Sequence, residues 1–202
     1  MAIKLEREYR DIELSDFQFN KDQYIVEGYA AIFDKPYVIF TDEDGNDYYE
    51  IISSKAFANT DMSDIIFLYN HEGMVFARNT NDTLDVIVDD IGLFTRTNLV
   101  STQASHGMFE AIDTGLVTKM SWAFTVRADE YDRKTRTRTI TDVRKIFDVS
   151  AVALPANPAT NISSISARSF INGVIAKEEA ERLLRANDIK KIQLKLKLGG
   201  NS

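Results

Sequence analysis

Two long stretches, residues 117–128 and 136–154, alternate large apolar side chains with small or polar ones, and a strongly polar turn around Asp132-Arg133-Lys134 separates them. Neighbouring side chains in a strand point to opposite faces, so a period of two predicts a pair of long strands. In KMSWAFTV, residues 119–126, Met120, Trp122, Phe124 and Val126 share the core face. Lys119, Ser121, Ala123 and Thr125 share the other, a small-residue face open to the approach of a substrate. In KIFDVSAVALPANP, residues 145–158, the same rule puts Phe147, Val149, Ala151 and Ala153 on one side and Ile146, Asp148, Ser150 and Val152 on the other.

The rest of the body reads the same way. Residues 23–33, two stretches within 37–52, residues 64–70 and the pair within 82–98 are rich in β-branched and aromatic residues and bounded by Asp-Gly, Gly-Asn and Asp-Ile-Gly turns. Residues 102–114 are the clearest helix of the body, with Ala104, Met108, Ala111 and Ile112 at helical spacing and Gly115 as its stop. A β-rich α+β fold follows, a mostly antiparallel β-barrel with a few flanking helices. Residues 171–202 differ. They carry 7 Lys and Arg against 4 Asp and Glu, whereas the remainder carries 17 against 27. A helix over 176–186, with Glu178–Arg182 and Glu181–Arg185 at four-residue spacing, precedes the alternating IQLKLKL of 192–198. The expected organisation is a domain over 1–170 and a basic tail over 171–202.

Composition removes whole classes of chemistry. With 202 residues and no cysteine, disulfides, zinc–thiolate sites and a thiol nucleophile are excluded. A net charge of -7 argues against broad nucleic-acid binding. No apolar run approaches the roughly 20 residues a membrane helix needs, and MAIKLEREYR has no signal-peptide core. The acidic loop TDEDGNDYY misses the calcium-loop spacing and reads as a solvated hairpin tip, so no metal and no cofactor is expected.

Only two histidines exist, His71 in LYNHEG and His106 inside the expected helix. A hydroxyl nucleophile needs a general base, and His106 reads as an exposed helical residue, which leaves His71 at the end of an apolar strand. Lys119, two residues from Ser121 on the same face, is a weaker partner because nothing around it lowers its pKa. Asp148 stands in an apolar setting, where a carboxylate needs a partner; an imidazole is one, and an outer-face surface aspartate is the plainer explanation. No Gly-x-Ser-x-Gly elbow, phosphate-binding glycine loop or His-Glu-x-x-His motif competes.

Four ordered stretches, VEGYAAIFD (26–34), FLYNHEG (67–73), Gly115 followed by KMSWAF, and DVSAVALPANP (148–158), together with YYEIISSKAF (48–57), resemble the prohead proteases of tailed bacteriophages over residues 10–165. That resemblance implies a fold shared with the herpesvirus assembly proteases, Ser121 as nucleophile, His71 as base and Asp148 as third member. No histidine follows Ser121, so the herpesvirus arrangement with a second, late histidine is impossible here. The arginine-bearing loop of those relatives corresponds to Pro155-Ala156-Asn157-Pro158, which leaves the backbone around Asn157, or Arg168, as oxyanion candidates. The implied activity is a serine endopeptidase that cleaves the scaffolding region of the major capsid protein, and itself, inside the assembling prohead in the host cytoplasm. The implied partners are the capsid protein with its scaffolding domain and, by analogy with the herpesvirus enzymes, a second copy of the chain, without nucleic acid or membrane.

Three alternatives stand beside this reading. Against a catalytically inactive virion or scaffold protein on the same fold stand the retained Ser121, His71 and Asp148. A metal-dependent hydrolase using His71 with Asp89 or Asp90 would lose activity to a chelator and be indifferent to Ser121→Ala. A host β-rich binding module has no positive feature in its favour.

Overall fold

The computed structural model describes residues 7–14, 17–153, 173, 183 and 185. The chain divides into two compact units, Met1–Ser164 and Ile165–Ser202, and the strands and long helix described here all belong to the first. Of the tail helix expected over 176–186, only Leu183 and Arg185 fall within the described residues, and both are helical.

Eleven strands form two sheets among the described residues. They are β1 (Glu8–Glu13), β2 (Gln18–Asn20), β3 (Ile25–Ile32), β4 (Tyr37–Thr41), β5 (Asp47–Ile52), β6 (Ile66–Tyr69), β7 (Glu72–Arg78), β8 (Leu84–Val88), β9 (Gly92–Asn98), β10 (Lys119–Asp132) and β11 (Thr137–Val152). The larger sheet runs β1-β10-β11-β5-β4, and β6 pairs with both β11 and β7; the smaller runs β2-β3-β9-β8. Strand β11 is long enough to serve two partners along one edge. Thr137–Ile140 pair with β5 and Asp148–Ala151 with β6, both in parallel, while the other ladders are antiparallel.

The sheets are open, which corrects the expected closed barrel. Strands β1, β4, β7, β2 and β8 each have one ladder partner among the described residues. Side-chain packing joins the sheets in place of hydrogen bonds: Val26, Ala30, Leu84 and Leu93 of the small sheet share a core with Phe67, Trp122, Phe124 and Val149 of the large one. Apolar burial of this kind contributes about 25 cal/mol per Å², and Trp122, Phe67, Phe124 and Leu93 are wholly inaccessible to solvent.

The helix α1 (Gln103–Asp113) starts at Thr102, whose side chain accepts from the Ser105 amide, and stops at Gly115 with φ 74°. Its inner face is Ser105, Met108, Phe109 and Ile112, so Ala104 lies outside the stripe expected from sequence. His106 is half-buried rather than exposed, stacked on Tyr24 at 4.1 Å.

A buried ionic cluster ties β1 to the centre of the large sheet. Arg10 donates to both carboxylate oxygens of Glu50 at 2.5 and 2.6 Å, and Arg138 reaches Glu8 at 2.6 Å, Asp129 at 2.5 Å and Glu50 at 3.2 Å. The Tyr37 hydroxyl also donates to Glu50. Burial opposes ionisation of Glu8, but hydrogen bonding to Arg138 and the charges of Arg10 and Arg138 overcome it and hold its carboxyl down at about 2.

Candidate active site

Register decides which side chains meet. Across the large sheet, Tyr9, Ala123, Asp148 and Ile66 form one transverse row, and Asp11, Ser121, Ser150 and Leu68 form the next. Residues paired in register project to the same side, so Ser121, Ser150 and Asp148 share one face, opposite the Trp122 core.

A bulge corrects the expected faces of β11. The register shifts between Ala123 and Phe124, so Phe147 is an extra residue opposite that step. The parity of the strand changes there. Ile146 joins Val149 and Ala151 in the core at 0% exposure, whereas unbroken alternation places it beside Asp148.

His71 reaches this face from the β6–β7 turn. Tyr69 pairs with Glu72, and the two residues between, Asn70 and His71, have φ 51° and 62°. This left-handed pair is the geometry of a two-residue hairpin turn, where Asn and His are tolerated better than β-branched residues. The turn is moored to β11: the Asn70 amide donates to the Ala151 carbonyl at 2.9 Å, and Asn70 Oδ1 accepts from the Ala153 amide at 3.2 Å. So anchored, His71 Nδ1 lies 2.6 Å from Asp148 Oδ1. An ionised carboxylate only accepts, so the proton of this bond sits on Nδ1 and leaves Nε2 as the basic nitrogen.

Two contacts that sequence reasoning misses complete the arrangement. The Ser150 hydroxyl donates to the same Asp148 oxygen at 2.7 Å, and the Tyr9 ring meets the His71 imidazole edge-on at 4.6 Å between centroids. Asp148 is only 1% exposed, and its hydrogen bonds with His71 Nδ1 and the Ser150 hydroxyl offset the cost of burying its charge.

Ser121 is also 1% exposed, in place of the expected open face. It is a short side chain on a strand paired on both sides, opposite Asp11 of β1 and Ser150 of β11. Its hydroxyl has no hydrogen-bond partner among the described residues, so Ser121 and His71 share a face without being bonded to each other. Lys119 is committed to Glu13 at 2.9 Å, and Asp89 to the Tyr29 hydroxyl and the Ile91 and Gly92 amides. Asn157 and Arg168 lie outside the described residues.

A sequence profile described as caudovirus prohead serine protease matches residues 10–173. The chain belongs to that family. A prohead protease of Enterobacteria phage HK97 is 26% identical over 177 residues, spanning 85% of this chain and 72% of that protein. No solved structure matches the chain. Membership in the prohead serine protease family makes this chain a serine protease of capsid maturation, and the profile spans all the strands from β2 to β11.

Proposed function

We propose that this chain is the endopeptidase that removes the scaffolding region of the major capsid protein within the prohead, with Ser121, His71 and Asp148 as its catalytic residues. The observation that carries this reading is the 2.6 Å contact between His71 Nδ1 and Asp148 Oδ1 on the strand face that also holds Ser121. The likeness to the prohead protease of phage HK97 supports the prohead as the place of action.

Asp148 fixes the imidazole tautomer, so Nε2 is the atom that takes the Ser121 proton as Oγ attacks the scissile carbonyl. Nδ1–H then faces the carboxylate that stabilises the imidazolium. The same Nε2–H protonates the departing amine, and a water repeats the sequence to release the acyl-enzyme. The Ser121 hydroxyl, lacking a bond at rest, is free to engage His71 when a peptide arrives; catalytic hydrogen bonds commonly tighten only in the substrate complex. A herpesvirus-protease-like arrangement with an acid in place of the late histidine belongs to this reading through the family resemblance alone. Self-cleavage, a homodimer and a scaffold-binding role for the basic 171–202 tail belong to the same reading.

Co-expression with the capsid protein tests it. Wild type is expected to shorten both the capsid protein and itself, and Ser121→Ala to leave both intact. Processing by Ser121→Ala would remove the assignment.

A further inference from the structure

A cleft of about 230 Å³ opens beside Asp148 on the same side of the sheet as Ser121. Its apolar floor is Ile66 and Leu68 of β6, which continue the Asp148 and Ser150 rows by one strand spacing. Adjacent strands lie about 4.8 Å apart, so the floor is two strands from Ser121, within reach of a side chain one or two residues from a bond held at its hydroxyl. The cleft holds more positive than negative charge. Arg7, Arg78 and Lys145 line it, against Asp64 and Asp148.

The carboxylates are already engaged. Asp64 accepts both arms of Arg78 at 2.7 Å, and Asp148 accepts from His71 and Ser150. Lys145 is held by Asp61 at 2.7 Å. Arg7 alone among the three cations has no carboxylate among the described residues; its guanidinium lies over the Phe147 ring at 4.0 Å. A contact with a ring takes up none of the guanidinium's N–H groups in a hydrogen bond to a carboxylate, the partner its fork binds through two hydrogen bonds. The ring is there because of the bulge: Phe147 is the extra residue that the β10 register skips.

We infer that this cleft is a substrate subsite that selects an acidic side chain, aspartate or glutamate, through Arg7. The inference rests on the reading that peptides are cut at Ser121.

Cleavage of a mixed peptide library by wild type, Arg7→Glu and Ser121→Ala, resolved by mass spectrometry, tests it. Wild type is expected to enrich acidic residues at one position within three residues of the cut. Arg7→Glu is expected to lose that enrichment by tenfold or more and to favour lysine there, with the other positions unchanged. Identical profiles for wild type and Arg7→Glu would overturn the subsite, while cleavage by Ser121→Ala would instead overturn the catalytic reading. A second measurement needs no turnover. Fluorescence anisotropy of peptides bearing glutamate, glutamine or lysine at that position, or at each position of a capsid-derived segment, is read on the Ser121→Ala chain. Tighter binding of the glutamate peptide, lost on adding Arg7→Glu, supports the subsite; equal binding of all three rejects it.

Discussion

Ser121 and Ser150 stand directly opposite one another across the β10–β11 ladder, one with an unbonded hydroxyl and the other bonded to Asp148. The pair separates two roles that sequence alone does not distinguish.

Replacing Ser121 by alanine is expected to abolish peptide hydrolysis without loss of stability. A buried hydroxyl with no partner costs about 1–3 kcal/mol, and alanine removes that cost at the price of one small contact. Thermal melting of Ser121→Ala at or above the wild-type midpoint, together with absent cleavage, is the expected result.

Ser150→Ala is expected to keep the fold and lose part of the rate. Asp148 would retain His71 but lose its second donor, a hydrogen bond to a charge worth about 1.5–3 kcal/mol. A fall of roughly tenfold to a hundredfold in kcat with KM little changed, measured on a cleavable peptide, is the outcome. Full loss in Ser150→Ala with cleavage retained in Ser121→Ala would point to Ser150 as the nucleophile instead.

Acid should unlock the buried ionic cluster. The Glu8 carboxyl is held at about 2, below its ordinary 4.5. A carboxyl depressed on folding stabilises the folded state above its ordinary pKa, and the contribution fades as pH falls from about 4.5 to about 2. Glu8→Gln is therefore expected to cost about 3 kcal/mol at pH 7, with the gap to wild type narrowing towards pH 2. Urea unfolding at pH 7, 4 and 2.5 measures it.

Glu50→Leu should be far worse. It leaves Arg10, Arg138 and the Tyr37 hydroxyl facing an apolar group at a site of 0% exposure. Breaking one partner of a buried ion pair costs about 3–5 kcal/mol, and denaturant titration should show a loss of that size.

Gly92→Ala tests the close approach of the small sheet's central strands. A β-carbon there would lie 1.9 Å from the Ala31 carbonyl oxygen, which is backbone and cannot swing away. A lowered melting temperature, consistent with overpacking of about 1–3 kcal/mol or more, is expected.

Strands were legible where large apolar residues recur at period two, as in β8 and β10, or where β-branched and aromatic residues concentrate, as in β3; in β10 the small-residue face is buried as well, which the period does not show. Three strands were not; β2 is only three residues long and wholly exposed, so it carries no burial pattern. In β1 the innermost residue is Arg10, so burial there is ionic and leaves no apolar pattern. In β7 the apolar Met74 and Val75 are exposed while Ala77 is buried, so the pattern runs against burial. The face of Ser121 could be read from period two, and His71 from the scarcity of histidines. The contacts of Ser150 and Tyr9 could not, because they depend on register between strands far apart in sequence. The face of Ile146 was misread for a related reason: a bulge is a property of two strands, and neither announces it alone.

The parallel pairing of β6 with the far end of β11 has a consequence during synthesis. His71 meets Asp148 only through contacts spanning 77 residues, and long-range closure of this kind comes late in folding. A nascent chain that has emerged through Ser121 has its hydroxyl and its imidazole but no carboxylate to orient them. The contact between His71 and Asp148 therefore cannot form until β11, the last of the described strands, has left the ribosome.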